Sequence, residues 1–161
     1  MPGAIFQAFG PNNQSLTFTL NGLSNTATQF STVVVNTGAT VFTDVLITAS
    51  CYIATTPSSD EAVYFYAYGS TDGGLTYTDG VTGTDGRLAN GVRNAKMIGV
   101  LSMKSPNLSM IGGPWRLSNA FSGVLPERWG VIAQNATGTY LSNANPNANE
   151  LKYQYIFDQY T

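Results

Sequence analysis

The sequence predicts an all-β fold, a jelly-roll-like β-sandwich of about eight to nine antiparallel strands, and three observations carry that expectation. Apolar residues alternate with a period of two along most of the chain and almost nowhere recur at helical spacing. Clusters of Gly, Pro, Asn and Ser punctuate those runs at short intervals. The 161 residues, 43% hydrophobic and 12% aromatic, can bury one good core but hardly two, so residues 1–161 are expected to form a single domain.

Taken in order, residues 1–14 ("MPGAIFQAFGPNNQ") precede the first alternating run. They lack a basic lead and a long apolar run, so synthesis in the cytosol is expected. "SLTFTL" then sets Leu16, Phe18 and Leu20 on one face and Thr17 and Thr19 on the other, as a half-buried strand does. Comparable runs follow at 30–36, 41–53, 62–69, 96–103, 108–111, 128–135, 139–142 and 151–157. Turns are expected at Asn21-Gly22, Thr37-Gly38, Pro57-Ser58, Ser105-Pro106-Asn107, Gly112-Gly113-Pro114 and Asn145-Pro146. No internal repeat or linker interrupts the pattern, and no run is long enough to cross a bilayer as a helix.

Two strands have an unusual second face. In 62–69, Val63, Phe65 and Ala67 point one way and Tyr64, Tyr66 and Tyr68 the other. In "LKYQYIFDQY", Leu151, Tyr153, Tyr155 and Phe157 alternate, and Tyr160 follows. A second apolar face needs a loop, a terminus or a neighbouring subunit to cover it. Tyrosine suits an interface, because it adds area and a polar tip at low entropy cost. Tyr64, Tyr66, Tyr68, Tyr153, Tyr155 and Tyr160 are therefore the candidate interface residues, with intrachain core as the competing destination.

Charge excludes some function classes. Only 10% of residues are charged, against about 25% in an average soluble domain. A net charge of −2 offers no basic patch for nucleic acid. The charges are segregated: 60–85 carries Asp60, Glu61, Asp72, Asp79 and Asp85, whereas 87–128 carries Arg87, Arg93, Lys96, Lys104, Arg116 and Arg128 against Glu127 alone. That leaves two readings, loops that scatter the charges or a polarised surface suited to ordered packing.

The stretch "STDGGLTYTDG", followed by "VTGTDG", gathers three Asp-Gly pairs. Ser70-x-Asp72-x-Gly74-x-Thr76-Tyr77 resembles the Asp-box hairpin of sialidase-like propellers, with Tyr77 in place of the usual Trp, and in that family the box is a turn device remote from the catalytic centre. A turn is the expectation here, with Asp72 accepting backbone N–H bonds and Gly73 and Gly74 at positive φ. An EF-hand reading fails on ligand spacing, since Gly74, Thr76 and Gly83 occupy the third, fifth and twelfth places counted from Asp72. A weak calcium site built from Asp72, Asp79 and Asp85 stays open.

No catalytic residue, metal site or cofactor is expected. The chain has no histidine, which removes Ser-His-Asp and Cys-His arrangements, and no phosphate-cradling Gly-Lys-Ser/Thr motif. A glycosidase would need two facing carboxylates, and Asp60, Glu61, Glu127 and Glu150 read instead as solvated strand ends. Cys51, the only cysteine, has apolar neighbours and reads as an inert core thiol.

From Tyr64 to Phe157, the order of a strand, "YGSTDGGLTYTD", "VTGTDG", "GGPWRLSNAFSGVLPERWGVIAQNATGTYLS" and "YQYIF" resembles the small jelly-roll accessory proteins of tailed bacteriophages. The most telling piece is Leu125-Pro126-Glu127-Arg128-Trp129-Gly130-Val131 followed by Asn135-Ala136-Thr137-Gly138. The amino-terminal third matches only in being β-rich, and within it residues 1–14 are expected as an amino-terminal docking arm only as the resemblance implies one. The resemblance implies a capsid cement or decoration protein: a homotrimer made in the host cytoplasm, bound to the major capsid protein on the outer surface of the virion head, with neither nucleic acid nor membrane as partner. The competing expectation is a tail, baseplate or fibre module that binds host glycans through Trp115 and Tyr140. Trp129, inside an alternating apolar run, is expected in the core.

Overall fold

The computed structural model describes residues 4–37, 41–58, 60–145 and 148–160. Among the described residues, eleven strands form two antiparallel sheets. They are β1 (Ile5–Phe9), β2 (Gln14–Ser15), β3 (Thr28–Phe30), β4 (Val34–Val35), β5 (Asp44–Tyr52), β6 (Ala62–Ser70), β7 (Gly86–Arg87), β8 (Lys96–Ser102), β9 (Ser109–Arg116), β10 (Arg128–Ala136) and β11 (Glu150–Tyr160). Short 3-10 turns occupy Thr78–Gly80 and Leu117–Phe121. Among the described residues no helix is long and apolar enough to cross a membrane.

One sheet has the order β1-β11-β5-β9, with β2 also on β11. The other runs β7-β3-β10-β6-β8, with β4 also on β10. The two-residue strands explain why more strands form than the alternation predicts: β1 and β2 pair with successive parts of β11, and β3 and β4 with successive parts of β10. Each such pair is one interrupted strand. With the interruptions closed and the short β7 set aside, the chain passes from one sheet to the other at every step except β6 to β8, which pair within one sheet, and this is the double Greek key of a jelly roll.

The inner faces meet in one core. Val63, Phe65 and Ala67 of β6 are buried against Val45, Ile47, Ala49 and Cys51 of β5 and Trp129, Val131 and Ala133 of β10. Trp129 is in the core, as expected. Burial pushes the Cys51 thiol up to about 12, which leaves it without thiolate at neutral pH.

Four expected elements differ. Residues 16–20 keep their alternation, with Leu16 and Leu20 buried, but form no ladder. The Leu16 N–H donates to Leu151 in one sheet while the Thr17 carbonyl accepts from Thr32 beside the other, so this segment is a crossing between sheets. Residues 139–142 are a loop in which Leu141 alone of the apolar pair is buried; it is pinned through the Leu141 N–H to Leu23 and the Ser142 N–H to Tyr52. Gly112-Gly113-Pro114 does not end a strand but lies within β9, where the register against β5 shifts between Ile47 and Ala49. A Cβ on Gly113, at φ +107°, would come within 2.5 Å of the Ile47 carbonyl oxygen, so this close approach requires glycine. Residues 5–9, within the expected arm, form an edge strand on β11. Residues 1–3 of that arm, Gly38 and Pro146 of the expected turns, and the side chain of Tyr160 lie outside the described residues.

Candidate partner-binding surface

The outer face of the β10–β6–β8 sheet carries the tyrosine stripe, and burial along it is graded. Register places Thr28, Gln134, Tyr64 and Val100 in one row across β3, β10, β6 and β8, and Phe30, Ile132, Tyr66 and Met97 in the next. The β3 and β8 ends of these rows differ sharply: Thr28, Phe30 and Ile132 are buried, Gln134, Tyr64 and Tyr66 are half-buried, and Val100 and Met97 are 43% and 56% exposed.

The gradient has a local cause. The long connection between β6 and β8 folds back over the β3 side and builds a second core, in which Phe30, Tyr68, Val81 and Ile132 are buried and Tyr66, Tyr77, Leu88, Val92 and Ala95 pack around them. Tyr68 is fully buried there, and its hydroxyl donates to the Ser31 carbonyl at 2.6 Å. Its ring lies over Gly130 on the neighbouring strand, where an added Cβ would sit 2.3 Å from ring carbon Cζ. Burial raises the Tyr68 hydroxyl well above its ordinary range. The expectation that Tyr68 faces a partner is thus corrected: a loop of its own chain covers it.

The Asp-Gly pairs hold this covering segment in place, each by itself. Asp72 Oδ1 accepts from Ser70 Oγ at 2.6 Å and from the Leu75 and Thr76 N–H groups at 3.1 Å, and Asp72 Oδ2 accepts from Thr76 Oγ1 at 2.5 Å. Gly73 and Gly74 have φ of +72° and +89°, as the turn reading expects. The Ser70 and Thr76 hydroxyls hold the Asp72 carboxyl well below the usual carboxylate range. Asp79 accepts the N–H groups of Arg93, Asn94 and Ala95 at 3.0, 2.8 and 3.0 Å, tying the end of the connection to its middle. Desolvation raises the Asp79 carboxyl, but these backbone donors outweigh it and leave the group lowered. Asp85 accepts from the Thr19 N–H and hydroxyl and, at 2.8 Å, from Gln29 Nε2. The three carboxylates are staples at three places, and among the described residues no group of three or more acidic, Cys or His side chains gathers around one point.

The remaining candidates scatter. Tyr153 and Tyr155 face the inner core: Tyr153 meets Trp129 edge-on at 5.4 Å, and Tyr155 stacks on Phe42 at 3.5 Å. Burial, with the Tyr153 hydroxyl beside it, raises the Tyr155 hydroxyl. Both rings therefore serve intrachain packing. Trp115 is half-buried with its ring turned inward, 5.5 Å from Phe65 and directly over Gly99, so it bridges the open side between β9 and β8 and offers no exposed platform. Tyr140 is exposed in the loop before β11, but on a different element. Glu61 and Glu127 flank β6 and β10 at opposite ends of their nine-residue pairing, about 30 Å apart by strand rise, and cannot act as a dyad. Glu150 pairs with Lys152 at 2.8 Å on the other sheet.

Sequence reasoning passed over two features. Asp44, buried at the start of β5, accepts Arg116 Nε at 2.5 Å and the Ser118 and Val45 N–H groups at 3.0 and 2.8 Å. Desolvation raises its carboxyl, yet Arg116 and the backbone donors more than offset that and leave it below 3.8. Seventy-two residues separate the pair, so no local pattern announces it. Met97 and Val100 were also missed as surface; each sits in a run whose alternation is blurred by Gly99 and the register shift opposite Phe65 and Tyr66.

What the arrangement offers is therefore a surface: Tyr64, Tyr66, Met97 and Val100 in two adjoining rows, beside β8, which has no further strand paired on its outer side among the described residues. A second exposed apolar edge lies on β1, where Ile5 and Phe9 are 60% and 62% exposed. Comparison with protein-family models, with curated proteins and with solved structures finds no match.

Proposed function

We propose that this chain is a structural virion protein, a capsid cement or decoration protein that binds a phage head lattice as a homotrimer and stabilises it without catalysis. The observation that carries the reading is the Tyr64–Tyr66–Met97–Val100 surface: the chain covers one side of this sheet face with its own loop and leaves the other side apolar beside an unpaired edge. Such patches mark contact with another macromolecule, and an unpaired edge adds backbone donors and acceptors to it. The stapled loop and the jelly-roll core make the surface rigid, so association costs little ordering entropy. The major capsid protein and further copies of the chain are the proposed partners. A stable contact buries about 1,200–2,000 Å² in total. A trimer with several footholds gains further, because each contact after the first is intramolecular.

Immunogold labelling of intact virions that carry the chain tests the reading. Label distributed over heads is the expected result, and label confined to tails sinks it. The second reading is a tail, baseplate or fibre module, favoured by the hydroxyl-lined cleft described next.

A further inference from the structure

We infer that the cleft between the Asp72 turn and the segment ahead of β10 is a binding site for a neutral saccharide, whether or not the chain resides on a virion. The cleft has a volume of roughly 390 Å³, within the range of small-ligand sites. Gly69 lies at its base, where Pro126 and Phe121 pack directly onto the glycine: an added Cβ would meet Pro126 Cγ at 2.8 Å and Phe121 Cε1 at 3.1 Å, so this close approach of the wall requires glycine. Phe121 and Pro126 make one wall and Tyr77 the other. The Tyr77 ring is fixed from behind by Tyr68, edge-on at 5.8 Å, and by the backbone at Gly83.

Five hydroxyl-bearing side chains line the same space, those of Ser70, Thr71, Thr76, Tyr77 and Thr78. Thr76 Oγ1 spends its proton on Asp72 Oδ2 and so presents an acceptor. Thr78 Oγ1 has contacts to Gly69 N and O at 3.4 and 3.5 Å, at the long limit of hydrogen bonding, and is free to exchange them for a better partner. Thr71 is exposed at the mouth. The Asp72 staple thus fixes the rotamer of a residue that lines the cleft, Thr76.

The chemistry of the lining selects the ligand class. No charged side chain lines the cleft among the described residues, which leaves a phosphate or carboxylate without a partner. The β6–β8 ladder stops at Ala67, and beyond it Thr78 stands where a pairing strand would, with its hydroxyl on the Gly69 N–H and carbonyl, so a peptide would have to displace this segment to extend the ladder. A pyranose fits both halves of the lining: its C–H edges meet aromatic faces, which are electron-rich, and its hydroxyls both donate and accept.

Amide chemical shifts of the full-length protein, titrated with lactose, maltose, cellobiose, N,N′-diacetylchitobiose and, as charged control, 3′-sialyllactose, test the site. At least one neutral disaccharide is expected to move the amides of Gly69, Thr71, Thr76, Thr78 and Phe121 saturably at millimolar concentrations. Thr78→Val, and separately Thr71→Val at the exposed mouth, should weaken that binding about fivefold to tenfold while other amides stay in place. Absence of saturable shifts with all four neutral sugars, shifts confined elsewhere such as around Tyr140, or binding of the sialylated sugar alone each overturns the inference.

Discussion

Strands β6 and β11 both carry tyrosine at alternate positions, yet the fold sends the two stripes in opposite directions. On β6 the rings of Tyr64, Tyr66 and Tyr68 leave the main core, whereas on β11 Tyr153 and Tyr155 enter it. The alternate residues make the difference. Opposite the β6 tyrosines stand Val63, Phe65 and Ala67, which have no polar atom beyond the backbone and win the core. Opposite the β11 tyrosines stand Lys152 and Gln154, which cannot be buried unpaired, so the tyrosines are the more apolar set. A tyrosine goes wherever its own strand leaves room, and relative hydrophobicity within one strand, more than residue type, assigns the face.

The largest expected effect falls on the buried end of the outer stripe. Tyr68→Ser should destabilise the chain by about 3–5 kcal/mol in urea denaturation, through the cavity and the Ser31 carbonyl left without its donor. An unchanged midpoint would mean that the second core contributes nothing and that the stripe is a surface throughout. Tyr153→Ser should cost about 2–3 kcal/mol, since the half-buried ring loses its contacts with Trp129 and Tyr155. A loss equal to that of Tyr68→Ser would erase the difference between a sealed second core and a partly open edge of the first.

An intermediate effect is expected at the Asp44–Arg116 pair, with a sign fixed by linkage. The folded-state pKa values of Asp44 and Asp79 lie below the ordinary 3.8, so their contribution is fully present above that value and is lost as pH falls through the folded values. Denaturation midpoints measured downward from about pH 5 should therefore decline. Asp44→Asn should cost about 1–3 kcal/mol at neutral pH and flatten the acid decline; a parallel decline in the variant would assign the acid sensitivity elsewhere.

The smallest effect on folding, and the most informative for function, is expected at the open end of the stripe. Tyr64→Ser should change stability by less than about 0.5 kcal/mol and yet weaken association, read by sedimentation velocity of the free protein and by retention on virions. Destabilisation comparable to Tyr68→Ser would return Tyr64 to the core and remove the proposed surface.

Several of these features are legible in the chain itself. Alternation and turn chemistry carry the β-sandwich, the faces of β6, the burial of Trp129 and the Asp72 turn, because each depends on residues at most a few positions apart. Asn135-Ala136-Thr137-Gly138 belongs with them: Asn135 Oδ1 accepts the Thr137 N–H at 3.0 Å and its hydroxyl at 2.8 Å, a turn lock closed over two residues. Even the destination of the β11 tyrosines follows from comparing Tyr153 and Tyr155 with Lys152 and Gln154.

Other features exist only once the sheets have formed. Trp115 looks like an exposed platform in "GGPWR" until β8 brings Gly99 beneath it. Tyr68 looks like a surface ring until Gly130 lies opposite and the 71–95 connection closes above it. The cleft at Gly69 needs Phe121 and Pro126, more than fifty positions away, to become a cleft at all. By itself the sequence determined which side chains share a face, since that is a matter of the two-residue period of an extended chain. Only the tertiary structure decided which faces stay open, because covering a face depends on where distant segments return, and no local pattern encodes that path.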